Sequence, residues 1–150
     1  MDIIYKSLSA EYIDSLTELD RLCFSVCWSK NMFESELKSN IAHYIIALYD
    51  ENVVGYVGIQ FVCGEGNITN IAVHPLFRKN GIATELMNKI FTFAKQKELD
   101  FVTLEVRASN SEAIKLYNKF GFEIVGERKN YYSDNHETAI LMTKFQPYTN

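Results

Sequence analysis

The sequence predicts an α/β fold of the α+β kind: one domain over residues 1–150, built on a mixed, mostly antiparallel sheet of about seven strands flanked by about four helices. Three observations predict it. Runs rich in β-branched and aromatic residues alternate with stretches whose apolar residues recur at helical spacing. Two pairs of strand-like runs are separated only by short polar turns, which makes hairpins. A further run, FVTLEVR, is reached only through a long amphipathic stretch, and a crossover of that length joins parallel strands. No internal repeat, low-complexity segment or Ser/Gly/Pro-rich linker divides the chain.

IIYKSL is the first strand. Ser9 stands where a cap belongs, ahead of a helix with Ile13, Leu16, Leu19 and Leu22 at helical spacing. Ser29 begins a second short helix that ends near Ser39. The FSVCWS stretch between the helices is an apolar loop, suited either to line a site or to bury Trp28 in the core. HYIIALYD and VVGYVGIQFV form an antiparallel hairpin around Asp50, Glu51 and Asn52, and CGEGN turns the chain into NITNIAVHP. Ile82, Leu86, Ile90 and Phe93 then make the stripe of a helix that must pack on the sheet. FVTLEVR follows as a strand parallel to NITNIAV. SNSE offers a capping box from Ser109 to Glu112 for a short helix with Ala113, Leu116, Tyr117 and Phe120, stopped by Gly121. FEIVGERKNYYS and ETAILMTKF close the chain as a second hairpin.

Composition limits the function. With 47% hydrophobic and 23% charged residues, 150 residues suffice to bury roughly 70% of the unfolded surface without a metal or disulfide staple. A net charge of -4 provides no basic footprint for phosphates, so no direct nucleic-acid ligand is expected, whereas a basic protein or peptide is a compatible partner. MDIIYKSLSA lacks a basic n-region, and no run approaches the ~18 apolar residues of a membrane span, so a soluble, cytoplasmic protein without a membrane partner is expected. Cys23, Cys27 and Cys63 suit a reducing compartment and read as small buried hydrophobes. At i, i+4 the spacing of Cys23 and Cys27 suits one helix face, but His43, His74 and His136 are scattered singly, and no metal site is expected. Monomer and weak dimer are both compatible with the sequence.

RKNGIA, residues 78–83, sits where a strand becomes a helix. A helix N-terminus carries unpaired N–H groups and roughly half a positive charge, and Gly81 lets backbone approach a ligand closely. Arg78 and Lys79 add charge, which makes an anion site suited to a pyrophosphate. An ordinary turn with a solvated basic pair has the same appearance. Neither G-x-G-x-x-G nor G-x-x-x-x-G-K-[ST] is present, so NAD and ATP are not its natural ligands.

Arg78-x-x-Gly81-x-Ala83 after a strand resembles the coenzyme A pyrophosphate loop of the GNAT acetyltransferase superfamily, whose pattern is Q/R-x-x-G-x-G/A. The element order resembles that fold too, a single GNAT-like domain. The resemblance covers essentially the whole chain and sharpens to RimI-like enzymes, which acetylate the N-terminal alanine of a small-subunit ribosomal protein. CWSKNMF, NIAVHPLFRKNGIATELM, LEVRASNSEAIKLYNKFGF and RKNYYSDNHETAILM carry it.

The resemblance implies acetyl-CoA as co-substrate and a protein N-terminus as acceptor. By it, Ile71, Ala72 and Val73 present strand backbone to the pantetheine arm. Lys79, Asn80, Gly81, Ile82, Ala83 and Thr84 form the pyrophosphate loop and first helical turn. Asn110 reaches the cofactor, although a turn or cap role competes. Glu105 is implied as general base and Tyr117 as general acid, and Trp28 with Tyr131 or Tyr132 as an apolar wall for the peptide, beside Asn130.

The chemistry fits these roles. A peptide α-amine with a pKa of ~7.7–8.0 is roughly 10–17% neutral at pH 7, and a lysine near ~10.4 only about 0.04%, a gap of ~3.5 kcal/mol. One glutamate is thus a sufficient base for an N-terminal amine. Holding amine and thioester together supplies ~7–11 kcal/mol, so Cys63 need not serve as nucleophile. Two alternatives stay open: a GNAT enzyme acting on protein lysine, a polyamine or an antibiotic amine, and a non-catalytic acyl-CoA-binding module.

Overall fold

The computed structural model describes residues 1–148. Its elements are β1 (Ile4–Ser7), α1 (Ile13–Cys23), α2 (Lys30–Lys38), β2 (Ala42–Tyr49), β3 (Asn52–Val62), β4 (Glu65–Val73), α3 (Ile82–Gln96), β5 (Phe101–Arg107), α4 (Ser111–Lys119), β6 (Glu123–Arg128) and β7 (Ala139–Phe145). Single 3-10 turns lie at Ala10–Tyr12 and Pro75–Phe77. The strands form one seven-stranded sheet in the order β1-β2-β3-β4-β5-β7-β6, the mixed sheet with four helices that the sequence predicts. Contacts group the chain into two compact units. The first comprises Met1–Gln60 with Thr69–Ile90; the second comprises Phe61–Ile68 and the chain from Phe91 onward.

In the first unit β1 pairs antiparallel with β2, and β2 with β3. The β2–β3 turn places Asp50 and Glu51 at φ 50° and 66° and pairs Tyr49 with Asn52, the two-residue geometry that matches strand twist. Leu16, Phe33, Ile46 and Tyr56 have no exposed surface and centre this core. Each buried side chain of that size contributes about 1.5–3 kcal/mol.

The expected stripe of α1 holds for Ile13, Leu16 and Leu19 but fails at Leu22, which is 56% exposed. Steps of three residues each lag the helical turn by about 60°, so three of them carry Leu22 to the face opposite Ile13. Thr17 and Asp20 take the buried positions instead. Ser9 makes no side-chain cap, because the 3-10 turn intervenes and Tyr12 occupies the cap position of α1. Ser29 does cap α2, accepting from Met32 N at 3.3 Å.

In the second unit β4 and β5 run parallel from Glu65↔Phe101 to Asn67↔Thr103, while β5–β7 and β6–β7 are antiparallel. The turn into β4 is shorter than CGEGN: only Cys63 and Gly64 turn, at φ 50° and 79°, and Glu65 already lies in the strand. Phe91 packs on Phe120 and Phe122, with ring centroids 5.5 and 5.8 Å away. Gly121, at φ 90°, ends α4 as expected. The cap of that helix is Asn110 and not Ser109: Asn110 Oδ1 accepts from Ala113 N at 3.2 Å, while Ser109 N is drawn to Glu137 Oε2 at 2.7 Å.

The cysteines also depart from expectation. Cys23 is the last residue of α1 and Cys27 lies beyond it, so the two share no helix face. Cys27 and Cys63 are exposed, and only Cys23 is half-buried.

Candidate active site

The end of β4 and the start of α3 belong to the first unit. Ala72 and Val73 are buried and Ile71 half-buried. Val73 O accepts from Arg78 Nε at 3.0 Å and from Cys23 Sγ at 3.6 Å, so the Arg78 side chain folds back onto the strand. A carbonyl at the strand end thus holds the guanidinium that stands beside Lys79. Burial pushes the Cys23 thiol up, with Arg78 opposing.

Lys79 at φ 64° and Gly81 at φ 78° are both left-handed and bring the chain sharply into α3. No protein atom lies within 4 Å of where a Gly81 Cβ would stand, so conformation and not crowding selects glycine. Gly81 O accepts the helical bond from Glu85 N at 3.0 Å, which starts a 15-residue helix at an exposed, Cβ-free position. Asn80 Nδ2 donates to Phe77 O and Arg78 O and braces the turn. Ile82 is buried, anchoring the first helical turn, and Ala83 and Thr84 are half-buried beside it. A glycine backbone, a lysine and a helix start are the donor set a pyrophosphate requires, so the residues fit acetyl-CoA.

Trp28 also belongs to the first unit. It is half-buried, its ring 5.4 Å from Phe33 and 6.4 Å from Tyr44, so the FSVCWS loop is anchored on the core by its last aromatic residue. Below it, Trp28 N donates to Asp20 Oδ2 at 2.7 Å and Tyr56 Oη donates to Asp20 Oδ1 at 2.5 Å. Burial raises the Asp20 pKa, with both hydrogen bonds opposing.

The second unit brings four of the expected residues together. Strand alternation buries Val102, Leu104 and Val106 and leaves Glu105 exposed, opposite Leu141 of β7. Interaction with the Glu105 carboxylate is the largest cause of the raised Tyr131 pKa, with burial adding to it. Tyr131 and Tyr132 meet edge to face at 5.1 Å. Both lie in the connection between β6 and β7 and not in a strand, so they are not sheet-packing residues. Burial, with Glu105 adding to it against Arg107, pushes the Tyr132 phenol up to about 12. Tyr117 is 5% exposed on α4 and packs on Phe122 at 5.8 Å. Burial raises its pKa, and Tyr132 adds to the rise. The phenol therefore stays neutral across any working pH. Asn110 stands at the start of the same helix, its Oδ1 committed to the cap.

Arg107 was not among the expected site residues. Its guanidinium stacks on Tyr132 at 3.9 Å and pairs with Asp134 and Glu137. A signal was present: Arg107 follows Glu105 by two, which puts both on one face of the strand. Asp20 carried no such signal, since its helical spacing reveals burial but not its partners. Among the described residues no group of three or more His, Cys, Asp or Glu side chains could hold a metal, and no helix is long and apolar enough to cross a membrane.

Residues 13–122 match the acetyltransferase (GNAT) family model. A Bacillus subtilis (strain 168) protein, named provisionally as a [ribosomal protein bS18]-alanine N-acetyltransferase, is 38% identical over 91% of this chain and 91% of its own length. The crystal structure of the ribosomal-protein-S18-alanine N-acetyltransferase from Escherichia coli superposes with a TM-score of 0.89 at 25% identity, covering 99% of this chain and 97% of that one. NAA60 of Arabidopsis thaliana, solved in complex with acetyl-CoA, shares the fold with a TM-score of 0.89 at 20% identity, over 96% of this chain and 98% of its own. The strand-to-helix loop, the sheet order and these matches agree: the chain belongs to the GNAT acetyltransferase family and is an N-acetyltransferase.

Proposed function

We propose that the chain, acting as one acetyltransferase domain over residues 1–150, acetylates a protein N-terminal α-amine in the cytoplasm, with the N-terminal alanine of a small-subunit ribosomal protein as the leading acceptor. The observation that carries this reading is Glu105 standing on the exposed face of β5, two residues from the Arg107 that stacks on Tyr132, in the same unit as a buried Tyr117. The names of the Bacillus subtilis and Escherichia coli relatives support the acceptor.

Acetyl-CoA supplies the acetyl group as an activated thioester. Lys79, Asn80, Gly81, Ile82, Ala83 and Thr84 hold its pyrophosphate, Ile71, Ala72 and Val73 offer strand backbone to its arm, and Asn110 adds a polar contact. Trp28, Tyr131 and Tyr132 receive the peptide. Glu105 takes the proton of the α-amine, directly or through a water, as the nitrogen forms its bond to the acetyl carbon. Tyr117 keeps its proton at every working pH and delivers it, or a hydrogen bond, to the departing sulfur. No side-chain nucleophile is needed.

A peptide-array assay with acetyl-CoA tests the reading. A peptide beginning with Ala is expected to be acetylated far better than the same peptide with a blocked α-amine and a free internal lysine, following the neutral-amine difference of ~3.5 kcal/mol. Equal or greater lysine modification overturns the acceptor assignment while sparing the fold.

A further inference from the structure

The connection between β6 and β7 runs from residue 129 to 138 and contains no strand, yet one side chain from β5 gathers much of it. Arg107 Nη2 donates to both carboxylate oxygens of Asp134, at 3.1 and 3.0 Å, and Nη1 donates to Asn135 Oδ1 at 3.2 Å and Glu137 Oε1 at 3.3 Å. The same guanidinium lies over the Tyr132 ring at 3.9 Å. Glu137 Oε2 accepts from Ser109 N, which ties the connection to the start of α4. The backbone closes on itself as well: Tyr131 N donates to Glu137 O at 3.2 Å and His136 N to Tyr132 O at 2.8 Å.

Isolated surface ion pairs contribute little, but a bidentate pair within a network is the exception. Here one fork serves two carboxylates, an amide and an aromatic face. Tyr132 is pinned under the guanidinium, and Tyr131 packs edge to face against it. We infer that Arg107, with Asp134 and Glu137, is a positioning clamp that holds the Tyr131–Tyr132 pair in place and thereby fixes the acceptor side of the reaction. The inference rests on the reading of Glu105 as base and Tyr131 as a peptide-binding residue. A lysine cannot replace the arginine, because a point ammonium supplies neither the fork nor the planar stack.

The test uses Arg107→Met, Arg107→Lys, Tyr131→Ala and the double variant Arg107→Met/Tyr131→Ala. Arg107→Met is expected to raise the peptide KM at least about fivefold with the acetyl-CoA KM within about twofold of wild type, and Arg107→Lys to recover little. In the Tyr131→Ala background the further loss is expected to fall below about twofold, since the clamp then has no Tyr131 ring to position. An equal loss in both backgrounds, or an unchanged peptide KM, overturns the clamp. Amide exchange provides a readout that needs no acceptor: residues 129–138 are expected to exchange at least about tenfold faster in Arg107→Met, with β5 and β7 still protected. Unchanged exchange in that segment also overturns it. Should the wild-type protein leave α-amine peptides untouched, the acceptor reading fails alone and the exchange result still decides the clamp. Should Arg107→Met lose the β5 and β7 protection, the same exchange criterion is applied to Arg107→Lys.

Discussion

Asp20 and Tyr56 meet through a 2.5 Å hydrogen bond on a carboxylate with no exposed surface, whose second oxygen accepts from Trp28 N. The Trp28 loop thus hangs on a buried acid. Asp20→Asn puts an amide donor against one of two donors and is expected to cost about 1–3 kcal/mol of stability, measured by denaturant unfolding. The pH dependence has a definite sign. Because the folded-state pKa is raised above 3.8, the contribution of Asp20 is full below that value and is lost as pH rises through the folded-state pKa. The wild-type advantage over Asp20→Asn should therefore shrink as pH rises above 3.8. An advantage that grows over this range would mean that the fold favours the charged carboxylate.

Gly81→Val tests the cofactor loop. At φ 78° a β-branched residue is strained, roughly 1–2 kcal/mol for the left-handed region, and its methyl groups stand where the backbone must meet the pyrophosphate. Acetyl-CoA at a hundred times its Kd stabilises the folded protein by about 2.7 kcal/mol. Most of the corresponding rise in Tm should vanish in the variant, read against the variant's own unliganded Tm. A rise of unchanged size would separate the loop from cofactor binding.

Glu105→Gln is expected to lower kcat/KM most at neutral and lower pH and to recover partly as pH rises, since a more basic solution deprotonates the amine without help. Rate profiles of both proteins decide this. A loss of equal size at every pH would assign Glu105 to holding the peptide.

Tyr117→Phe removes one oxygen from a ring that is already packed, so the fold should persist. Loss of a general acid is expected to reduce kcat roughly 10²-fold with little change in acetyl-CoA affinity. Because burial raises this phenol above 10.0, the wild-type rate should show no falling limb from its ionisation below that pH. Near-normal kcat would leave Tyr117 as packing alone, and an acyl donor with a more acidic thiol should restore part of any loss.

Most of the fold was legible because its signals are local. The hairpins announced themselves through polar turns between β-branched runs, and the parallel pair through the length of the crossover. The α1 stripe misled at Leu22, where counting by threes drifts off the helix face. The capping box misled at Ser109, because Glu137, distant in sequence, claims its N–H. The same reason hid the Asp20–Tyr56 pair and the Arg107 cluster: partners 36 and 27 positions away leave no periodic trace. The roles proposed for Glu105 and Tyr117 come only from family resemblance, since an exposed strand glutamate and a packed helix tyrosine look ordinary by themselves.

The interleaving of the two compact units bears on how the chain is made. Everything in the first unit has been synthesised once Ile90 appears, and its antiparallel strand pairs are short in range. Phe61–Ile68, by contrast, emerges early and belongs with strands that follow later; its parallel partner begins at Phe101. Domains tend to fold as units during synthesis, and long-range parallel pairing is slow. On a ribosome this short segment therefore gains its parallel partner only after Phe101 has been made.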